Sequence, residues 1–230
     1  MATVTAIVLA SGRATRMGAG MDKCFLSLGP KPVVAWSLLA FETCKEVDQI
    51  ILVVRKDQVV AARGLQSMFG IRKLKTIVVG GARRQDSVLA ALKEIHPGET
   101  QYIIIHDAAR PCVTQELISD TLKSARKFGS GVAAMPMVDT VKMAGKDLFV
   151  SSTPDRSTLW TVQTPQTFAT DKLMTAYQTY ATDRTVDYTD DASVLEAAGE
   201  KVHLVKGSTP NPKITTALDL TIAAALLRLN

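Results

Sequence analysis

The chain has 230 residues, of which 47% are hydrophobic and 21% charged, a balance typical of a globular protein with a substantial core. Its apolar runs are shorter than the roughly 20 residues of a transmembrane helix, and its first residues lack the basic region of a signal peptide; we expect no membrane partner. The formal net charge of +5 favours anionic small molecules. Dispersed basic residues and an aromatic content of only 5% disfavour nucleic acid as a partner.

Short apolar runs alternate with longer amphipathic stretches through the first half of the chain. The runs rich in Val and Ile predict buried strands, at 3–9, 49–54, 75–79, 102–106 and 131–135. The stretches between them predict helices, at 33–44, 58–69, 87–95 and 114–128. This alternation predicts an α/β fold with a mostly parallel twisted sheet flanked by helices. Because ligands bind at the carboxyl ends of such strands, we expect functional residues in the loops there.

The segment 138–160 departs from this alternation. Two β-like stretches, 140–143 and 148–152, surround the turn signal Ala-Gly-Lys-Asp at 144–147 and predict a protruding β-hairpin arm. A lone hairpin cannot bury its apolar side, so the arm indicates a homodimer. The remaining pattern predicts two helices, a strand and a final helix, at 171–182, 190–198, 201–205 and 216–228. We therefore expect a single domain, 1–230, that carries the arm.

The three cysteines indicate the redox environment. Cys24, Cys44 and Cys112 are odd in number and lack the spacing of metal ligands, which argues against a disulfide framework and against a zinc site. Unpaired cysteines are typical of a reducing compartment. We expect the protein to be cytoplasmic.

A loop of small residues follows the first predicted strand, from Leu9 to Lys23. Small residues let backbone amides approach an anion closely, and Arg16 and Lys23 add two cations suited to a triphosphate. The loop matches neither G-x-x-x-x-G-K-[ST] nor the G-x-G-x-x-G of dinucleotide-binding folds. Taken alone, it is also compatible with an ordinary strand-to-helix loop that carries solvated charges.

Six further segments follow this loop in a fixed order. They are Gly80-Gly-Ala-Arg-Arg-Gln-Asp-Ser87, His106-Asp-Ala-Ala-Arg-Pro-Cys112, Asp139-Thr-Val-Lys142, Asp155-Arg-Ser-Thr-Leu-Trp160, Gln163-Thr-Pro-Gln-Thr-Phe168 and Asn211-Pro-Lys-Ile-Thr-Thr216. Together with the loop, they resemble the 2-C-methyl-D-erythritol 4-phosphate cytidylyltransferase family over nearly the whole chain. The resemblance implies a Rossmann-like nucleotidyltransferase fold. It also implies cytidylyl transfer from CTP to methylerythritol phosphate, with release of pyrophosphate, in non-mevalonate isoprenoid biosynthesis.

The resemblance further implies a role for individual residues. Arg16 and Lys23 would stabilise the transition state at the α-phosphate of CTP, whereas Arg156 and Lys213 would hold the acceptor for in-line attack. The residues implied to line the acceptor pocket are Asp107, Arg110, Thr140, Thr164 and Thr189. The residues implied to hold the nucleotide are Ala10, Ser11, Gly12, Gly81, Ala82 and Ser87.

The chemistry of the reaction is consistent with this division of roles. An acceptor phosphate is already a nucleophile at neutral pH, so no Ser, Cys or His has to be activated. The site must supply positive charge, alignment and Mg²⁺ or another divalent cation, because two polyanions have to meet. We expect CTP, a small polyol phosphate and this cation as ligands, with Asp107 as a candidate for contact with the metal.

Several alternatives stay open on the sequence alone. Asp107 could be a helix N-cap with an ion pair, and Arg156 could be a surface charge or complete the site of a neighbouring subunit. His106, at the end of a strand, is expected to be a satisfied core histidine rather than a catalyst. The acceptor could instead be ribitol 5-phosphate, and the same fold could serve a non-catalytic nucleotide-binding protein.

Three departures from the family pattern concern the geometry of the site. Ala14 replaces the second glycine of the loop, Cys24 follows Lys23 where the family usually has Gln, and Pro212 precedes Lys213 where an aliphatic residue is common. Pro212 removes a backbone donor and favours an extended Asn211. Because none of these changes removes a cation, they affect the expected geometry and rate rather than the reaction class.

Overall fold

The computed structural model of the chain describes residues 3–12, 22–96, 98–207 and 211–229. In chain order, its strands are β1 (Val4–Ala10), β2 (Ser27–Leu28), β3 (Lys31–Pro32), β4 (Gln49–Val54), β5 (Leu74–Val79), β6 (Tyr102–Asp107), β7 (Ser130–Pro136), β8 (Met143–Ala144), β9 (Val150–Ser152), β10 (Trp160–Ala169) and β11 (Leu204–Lys206). Its helices are α1 (Val33–Thr43), α2 (Val59–Phe69), α3 (Arg84–Leu92), α4 (Gln115–Phe128), α5 (Thr170–Thr179), α6 (Asp191–Ala197) and α7 (Ala217–Leu226). Short 3₁₀ turns precede α2 and β10.

The main sheet has seven strands in the order β11-β7-β10-β6-β1-β4-β5. Strand β1 pairs in parallel with β4 and β6, and β4 pairs in parallel with β5. Every residue of β1 is buried, because helices cover both faces of the sheet: α1, α2 and α4 pack on one face and α3, α5 and α6 on the other. The predicted, mostly parallel α/β sheet is confirmed.

Strand β10 is the strand of the main sheet that the sequence pattern does not predict. It lies between β6 and β7 and runs antiparallel to both. Proline within a run usually excludes a central strand, because it cannot donate to the ladder. Here the register shifts between Val162 and Gln166, so Pro165 falls where the ladder is interrupted. The irregularity brings the polar residues of this stretch to the edge of the sheet where ligands are expected.

Helix α3 begins at Arg84, earlier than the predicted start at Ser87. Asp86 Oδ2 accepts a hydrogen bond from the backbone N–H of Arg83 at 3.1 Å, and Asp86 Oδ1 accepts one from Arg83 Nη2 at 2.8 Å. These bonds hold Arg83 at the start of the helix, and a carboxylate in the first turn also stabilises the positive end of the helix dipole. Arg84 therefore lies in that first turn, at the carboxyl end of the sheet.

The predicted hairpin arm is confirmed, with shorter strands than expected. β8 pairs with β9, and Leu148 adopts a left-handed conformation with φ of 63°, which extends the turn and delays the second strand to Val150. At the base of the arm, the Met137 N–H donates to Leu159 O at 2.9 Å. Phe149 at the tip is 77% exposed.

None of the helices within the described ranges is both long enough and apolar enough to cross a bilayer.

Candidate active site

The predicted nucleotide-binding residues lie at the carboxyl ends of β1 and β5 and on α3: Ala10, Ser11, Gly12, Gly81, Ala82 and Ser87. Ser11 Oγ donates to Ser87 Oγ at 2.9 Å, and the backbone N–H of Gly81 donates to the same oxygen at 3.1 Å. A Cβ atom on Gly80 would lie 2.5 Å from Ser11 Cβ, so only glycine allows this approach. The structure thus brings the two predicted nucleotide loops together.

Asp107, the last residue of β6, is the centre of a second group of predicted residues. Its Oδ2 lies 2.6 Å from Lys213 Nζ, and its Oδ1 lies 3.7 Å from Arg84 Nε. Its backbone N–H donates to Thr164 Oγ1 at 3.0 Å. Burial raises the pKa of Asp107, but the charges of Arg84, Lys213 and Arg110 outweigh burial and hold that pKa well below its ordinary value. Asp107 is therefore a carboxylate fixed among cations.

The alternative that Asp107 is a helix N-cap with an ion pair is wrong about the cap and right about the ion pair. The next helix, α4, begins only at Gln115, behind the side-chain cap of Thr114. The carboxylate of Asp107 is thus free of a capping role, whereas the ion pair that the alternative also contained is present. Both oxygens of the carboxylate face cations from other elements, which suits a role in positioning those cations.

Lys23 and the buried Cys24 lie in the turn that precedes β2. Burial raises the pKa of the Cys24 thiol to about 12; Asp22 and Asp107 act in the same direction, and Lys23 and Lys213 oppose them. The Cys24 thiol is therefore protonated at neutral pH.

A cavity of about 430 Å³ opens beside Asp107. Its lining includes five residues predicted for the acceptor side: Asp107, Arg110, Thr164, Thr189 and Lys213. The remaining lining residues are Arg84, Val162, Gln163, Gln166, Asp190, Ala192, Ser193, Glu196 and Leu204. The wall thus combines cations around Asp107 with the carboxylates of Asp190, the N-cap of α6, and Glu196 in the last turn of that helix. A ligand that carries both a phosphate and several hydroxyl groups matches this combination.

The loop after β6 and the segment around Lys213 are joined by hydrogen bonds. Arg110 Nη1 donates to Asn211 O at 2.8 Å, and the Ile214 N–H donates to Ala109 O at 2.8 Å. The Asn211 side chain in turn donates to Thr164 O at 2.8 Å. Arg110 Nε is buried and has no hydrogen-bond partner among the described residues.

A buried carboxylate behind Arg84 was not singled out as a site residue from the sequence. Arg84 Nη2 donates to Asp191 Oδ2 at 2.6 Å, and Tyr177 Oη donates to Asp191 Oδ1 at 2.5 Å. The neighbouring Asp190 is the N-cap of α6, because its Oδ1 accepts the Ser193 N–H at 3.0 Å. A helix needs only one such cap. Because Asp190 already serves as the cap, the adjacent Asp191 was the signal in the sequence that could have indicated a further role.

Two residues predicted for the acceptor side, Thr140 and Arg156, do not line this cavity. Both belong to the arm and are exposed. Arg156 Nη1 instead donates to Val138 O at 2.9 Å, at the base of the arm. Arg16 lies in the segment 13–21, outside the described residues. Within the described part of one chain, the cavity is therefore formed without the arm.

His106 is the satisfied core histidine that the sequence predicts. It is fully buried, its Nδ1 lies 3.1 Å from Thr164 Oγ1, and its Nε2 lies 3.2 Å from Arg110 O. Thr164 Oγ1 already accepts from the Asp107 N–H, so its own proton is free to donate to Nδ1, and Nε2–H donates to the carbonyl. Burial lowers the pKa of His106 to about 4. The imidazole is therefore neutral and positions the end of β6.

This buried histidine predicts a pH dependence of stability. The unfolded chain takes up a proton on His106 near pH 6.5, whereas the folded chain does so only near pH 4, so stability is complete above pH 6.5 and is lost as the pH falls towards 4. Between pH 7 and 4.5, we expect His106 to account for a loss of about 2 kcal/mol. Urea unfolding of the wild type and of His106→Gln at both pH values measures it. An equal loss in both proteins would contradict the prediction.

The side chains around Asp107 offer few ligands for Mg²⁺. Among the described residues, no group of three potential His, Cys, Asp or Glu ligands lies close enough to hold a metal. Mg²⁺ is commonly bound by one or two carboxylates together with substrate phosphates and water. Asp107 can supply one carboxylate beside the nucleotide loops, so the donor set fits a cation that arrives with the phosphates and not one held by protein alone.

The chain resembles known proteins over its whole length. The family model described as 2-C-methyl-D-erythritol 4-phosphate cytidylyltransferase matches residues 4–229. The protein of that name from Lachnospira eligens is 42% identical over 226 residues, which cover 97% of this chain and 99% of the relative. The protein of the same name from Pelotomaculum thermopropionicum is 41% identical over 229 residues, covering 99% of this chain and 95% of the relative.

Solved structures agree with the sequence relatives. The crystal structure of 4-diphosphocytidyl-2C-methyl-D-erythritol synthase from Anaerococcus prevotii superimposes with a TM-score of 0.86 at 30% identity, covering 99% of this chain and 96% of that one. From these matches, the chain belongs to the 2-C-methyl-D-erythritol 4-phosphate cytidylyltransferase family.

Proposed function

We propose that this chain transfers the cytidylyl group of CTP to the phosphate of 2-C-methyl-D-erythritol 4-phosphate and releases pyrophosphate. The observation that carries the proposal is the cavity beside Asp107, where Lys213, Arg84 and Arg110 converge next to the nucleotide loops. The names of the relatives indicate the nucleotide and the acceptor. The carboxylates of Asp190 and Glu196 line the cavity and can accept hydrogen bonds from the hydroxyl groups of a polyol chain.

The reaction needs no activated side chain. A phosphate oxygen of the acceptor attacks the α-phosphorus of CTP and forms the new P–O bond. The bond from the α-phosphorus to the oxygen that bridges to the β-phosphate breaks, and pyrophosphate leaves with the bonding electron pair. Since the attacking oxygen is already ionised at neutral pH, no base has to remove a proton. A neutral, fully bonded His106 is consistent with this chemistry.

The cations of the site have two tasks. Lys213 and Arg110 hold the acceptor phosphate so that its oxygen is in line with the α-phosphorus. Lys23 and Arg16 stabilise the charge that develops on the α-phosphate. Asp107 keeps Lys213 at the cavity mouth, because the salt bridge of 2.6 Å fixes the flexible amine.

Mg²⁺ is the cofactor that we assign to this reaction. Bound by the triphosphate, the cation would neutralise phosphate charge and orient the nucleotide. Asp107 is the described carboxylate that we expect beside it. The support is the donor chemistry of the site: one ionised carboxylate among cations suits a metal that takes its other ligands from phosphates and water.

The arm suggests a homodimer in which each site is shared. Its apolar side chains Val138, Leu148 and Phe149 are exposed by 77%, 84% and 77% in the single chain, and an isolated hairpin of this kind needs a covering surface. Thr140 and Arg156 lie on this arm, away from the cavity of their own chain. We therefore expect them to complete the cavity of the partner subunit.

Mixing two inactive variants tests the shared site. In a dimer of an Arg156→Ala chain and a Lys213→Ala chain, one of the two sites has both residues intact. Subunit exchange at equal amounts makes about half of the dimers mixed, so about a quarter of wild-type activity is expected. Native mass spectrometry verifies that mixed dimers form. Mixed dimers without activity would contradict the shared site and would indicate that Arg156 acts within its own chain.

The three cysteines support a reducing compartment. All three are buried and unpaired in the described residues, a state that persists in a reducing environment. This supports the cytoplasm as the place where the reaction occurs.

Pyrophosphate release tests the function directly. With CTP and Mg²⁺, we expect rapid release with methylerythritol 4-phosphate and little with ribitol 5-phosphate or without an acceptor. A preference for ribitol 5-phosphate would retain the mechanism and change the acceptor. A folded protein that binds CTP and releases no pyrophosphate with either acceptor would overturn the proposal and favour a non-catalytic role.

A further inference from the structure

Arg84 lies between two carboxylates that come from different parts of the fold. Its Nη2 donates to Asp191 Oδ2 at 2.6 Å, and its Nε lies 3.7 Å from Asp107 Oδ1. Asp191 opens α6, whereas Asp107 ends β6. The guanidinium side chain is 23% exposed and lines the cavity. One planar cation therefore connects the cavity to a buried anion behind it.

Asp191 is a fixed partner for this guanidinium. It is fully buried, and Tyr177 Oη donates to its second oxygen at 2.5 Å. Burial and the charge of Asp191 raise the pKa of Tyr177, so the hydroxyl stays protonated and keeps donating. The N–H groups of Asp191 and Ala192 both donate to Gln166 Oε1 at 3.1 Å. The start of α6 is thus attached to β10, and Asp191 cannot follow a displaced arginine.

We propose that Arg84 is a positioning residue for the acceptor phosphate. Held from behind by Asp191, it fixes Asp107 through Oδ1, so that Oδ2 remains directed at Lys213 and the amine stays at the cavity. A buried salt bridge that served stability alone would need only Asp191; the additional approach to Asp107 connects this pair to the site. This inference rests on the proposed function, because it assigns Arg84 to the binding of that acceptor.

Loss of Arg84 alone is a poor test, since it leaves the Asp191 charge buried without its partner and such changes are strongly destabilising. The double variant Arg84→Gln/Asp191→Asn removes both charges, and replacing a whole buried pair costs much less stability than breaking it. It keeps two amides that can hydrogen-bond to each other. Stability and acceptor binding can therefore be separated in one protein. The double variant Arg126→Gln/Glu46→Gln is the matched control, because it removes an ion pair of 2.7 Å remote from the cavity.

The measurements are the urea midpoint, the KM values of CTP and methylerythritol phosphate, and the calorimetric affinity for inorganic phosphate. For Arg84→Gln/Asp191→Asn, we expect a urea midpoint well above that of Arg84→Gln and a CTP KM within about threefold of wild type. The KM of the acceptor and the Kd of phosphate should rise about tenfold, the effect of losing the ion pair of 3.7 Å between Arg84 and Asp107 at the cavity wall. The control pair should leave all of these values near wild type.

The outcomes separate this inference from the proposed function. Wild-type acceptor KM and phosphate Kd in a stable double variant would overturn the positioning role and leave a purely structural ion pair. If the wild type binds phosphate but releases no pyrophosphate, the proposed function fails, while the comparison of phosphate affinities still decides the role of Arg84. A wild type that binds neither phosphate nor the acceptor would overturn both.

Discussion

Replacement of Lys213 by Ala is expected to lower kcat/KM for methylerythritol phosphate by a factor of roughly 10² to 10³, the usual effect of removing one preorganised group that stabilises a transition state. The Lys213 amine is 2.6 Å from Asp107, and its side chain is 41% exposed. It is thus available to an incoming phosphate and contributes little to the core. Pyrophosphate release measures the loss, and a cooperative urea transition, at a midpoint lowered by the loss of the ion pair with Asp107, establishes that the variant is folded.

The split between kinetic constants shows where Lys213 acts. A fall in kcat at constant KM would indicate contact made only in the transition state, and a rise in the acceptor KM alone would indicate ground-state binding. Lys201→Ala, which removes an exposed lysine elsewhere on the surface, controls for the loss of one positive charge. Turnover of Lys213→Ala at the wild-type rate would remove Lys213 from the mechanism.

Replacement of Gly131 by Ala is expected to lower the free energy of unfolding by about 3 kcal/mol, the upper part of the usual range for overpacking. A Cβ atom at this position would lie 2.1 Å from Thr121 O and 2.8 Å from Ser124 Cβ on α4. The first of these is a backbone atom within a helix and cannot rotate away. Gly131 lies in β7, which is paired on both sides, so the strand cannot shift either. Urea unfolding measures the change.

Gly64→Ala is the matched control for this substitution. Gly64 lies inside α2, and the nearest atom to an added Cβ there is Met68 Sδ at 3.8 Å, an ordinary contact. Because alanine favours the helix over glycine by roughly 1 kcal/mol, this variant should be slightly more stable than the wild type. Equal effects of the two substitutions would mean that the close approach of β7 and α4 is not what disfavours a side chain at Gly131.

The parallel strands were predictable because they are buried on both faces and therefore read as continuous apolar runs. Strand β10 lacks this signal. Its buried Gln166 donates to Asp190 Oδ2 at 2.9 Å, and its buried Thr167 donates to Thr121 Oγ1 at 2.9 Å. These partners come from distant parts of the chain, so the strand is stabilised by bonds that a hydrophobicity pattern does not register.

The residues of the site also fall into those that the sequence predicts and one that it does not. Asp107, Arg110, Thr164 and Lys213 were predicted from their family motifs, and the structure places them around one cavity. Arg84 was present in a quoted segment but had no assigned role, because its decisive contact is with a residue 107 positions further along the chain. Local spacing cannot indicate a pair so far apart, whereas the sheet order brings both residues to the same edge.

The position of the arm in the chain has a consequence for how such a protein can change. The arm leaves the sheet at the end of β7 and returns in β10, and these neighbouring strands are antiparallel. Antiparallel neighbours need only a tight turn between them, so the arm is an insertion that the sheet does not require. Its length and apolar surface can vary by insertion or deletion without any change of register at Asp107. The apolar surface proposed to meet a second subunit can therefore diverge during evolution, whereas Thr140 and Arg156 on the same arm are held constant by their proposed role in the site.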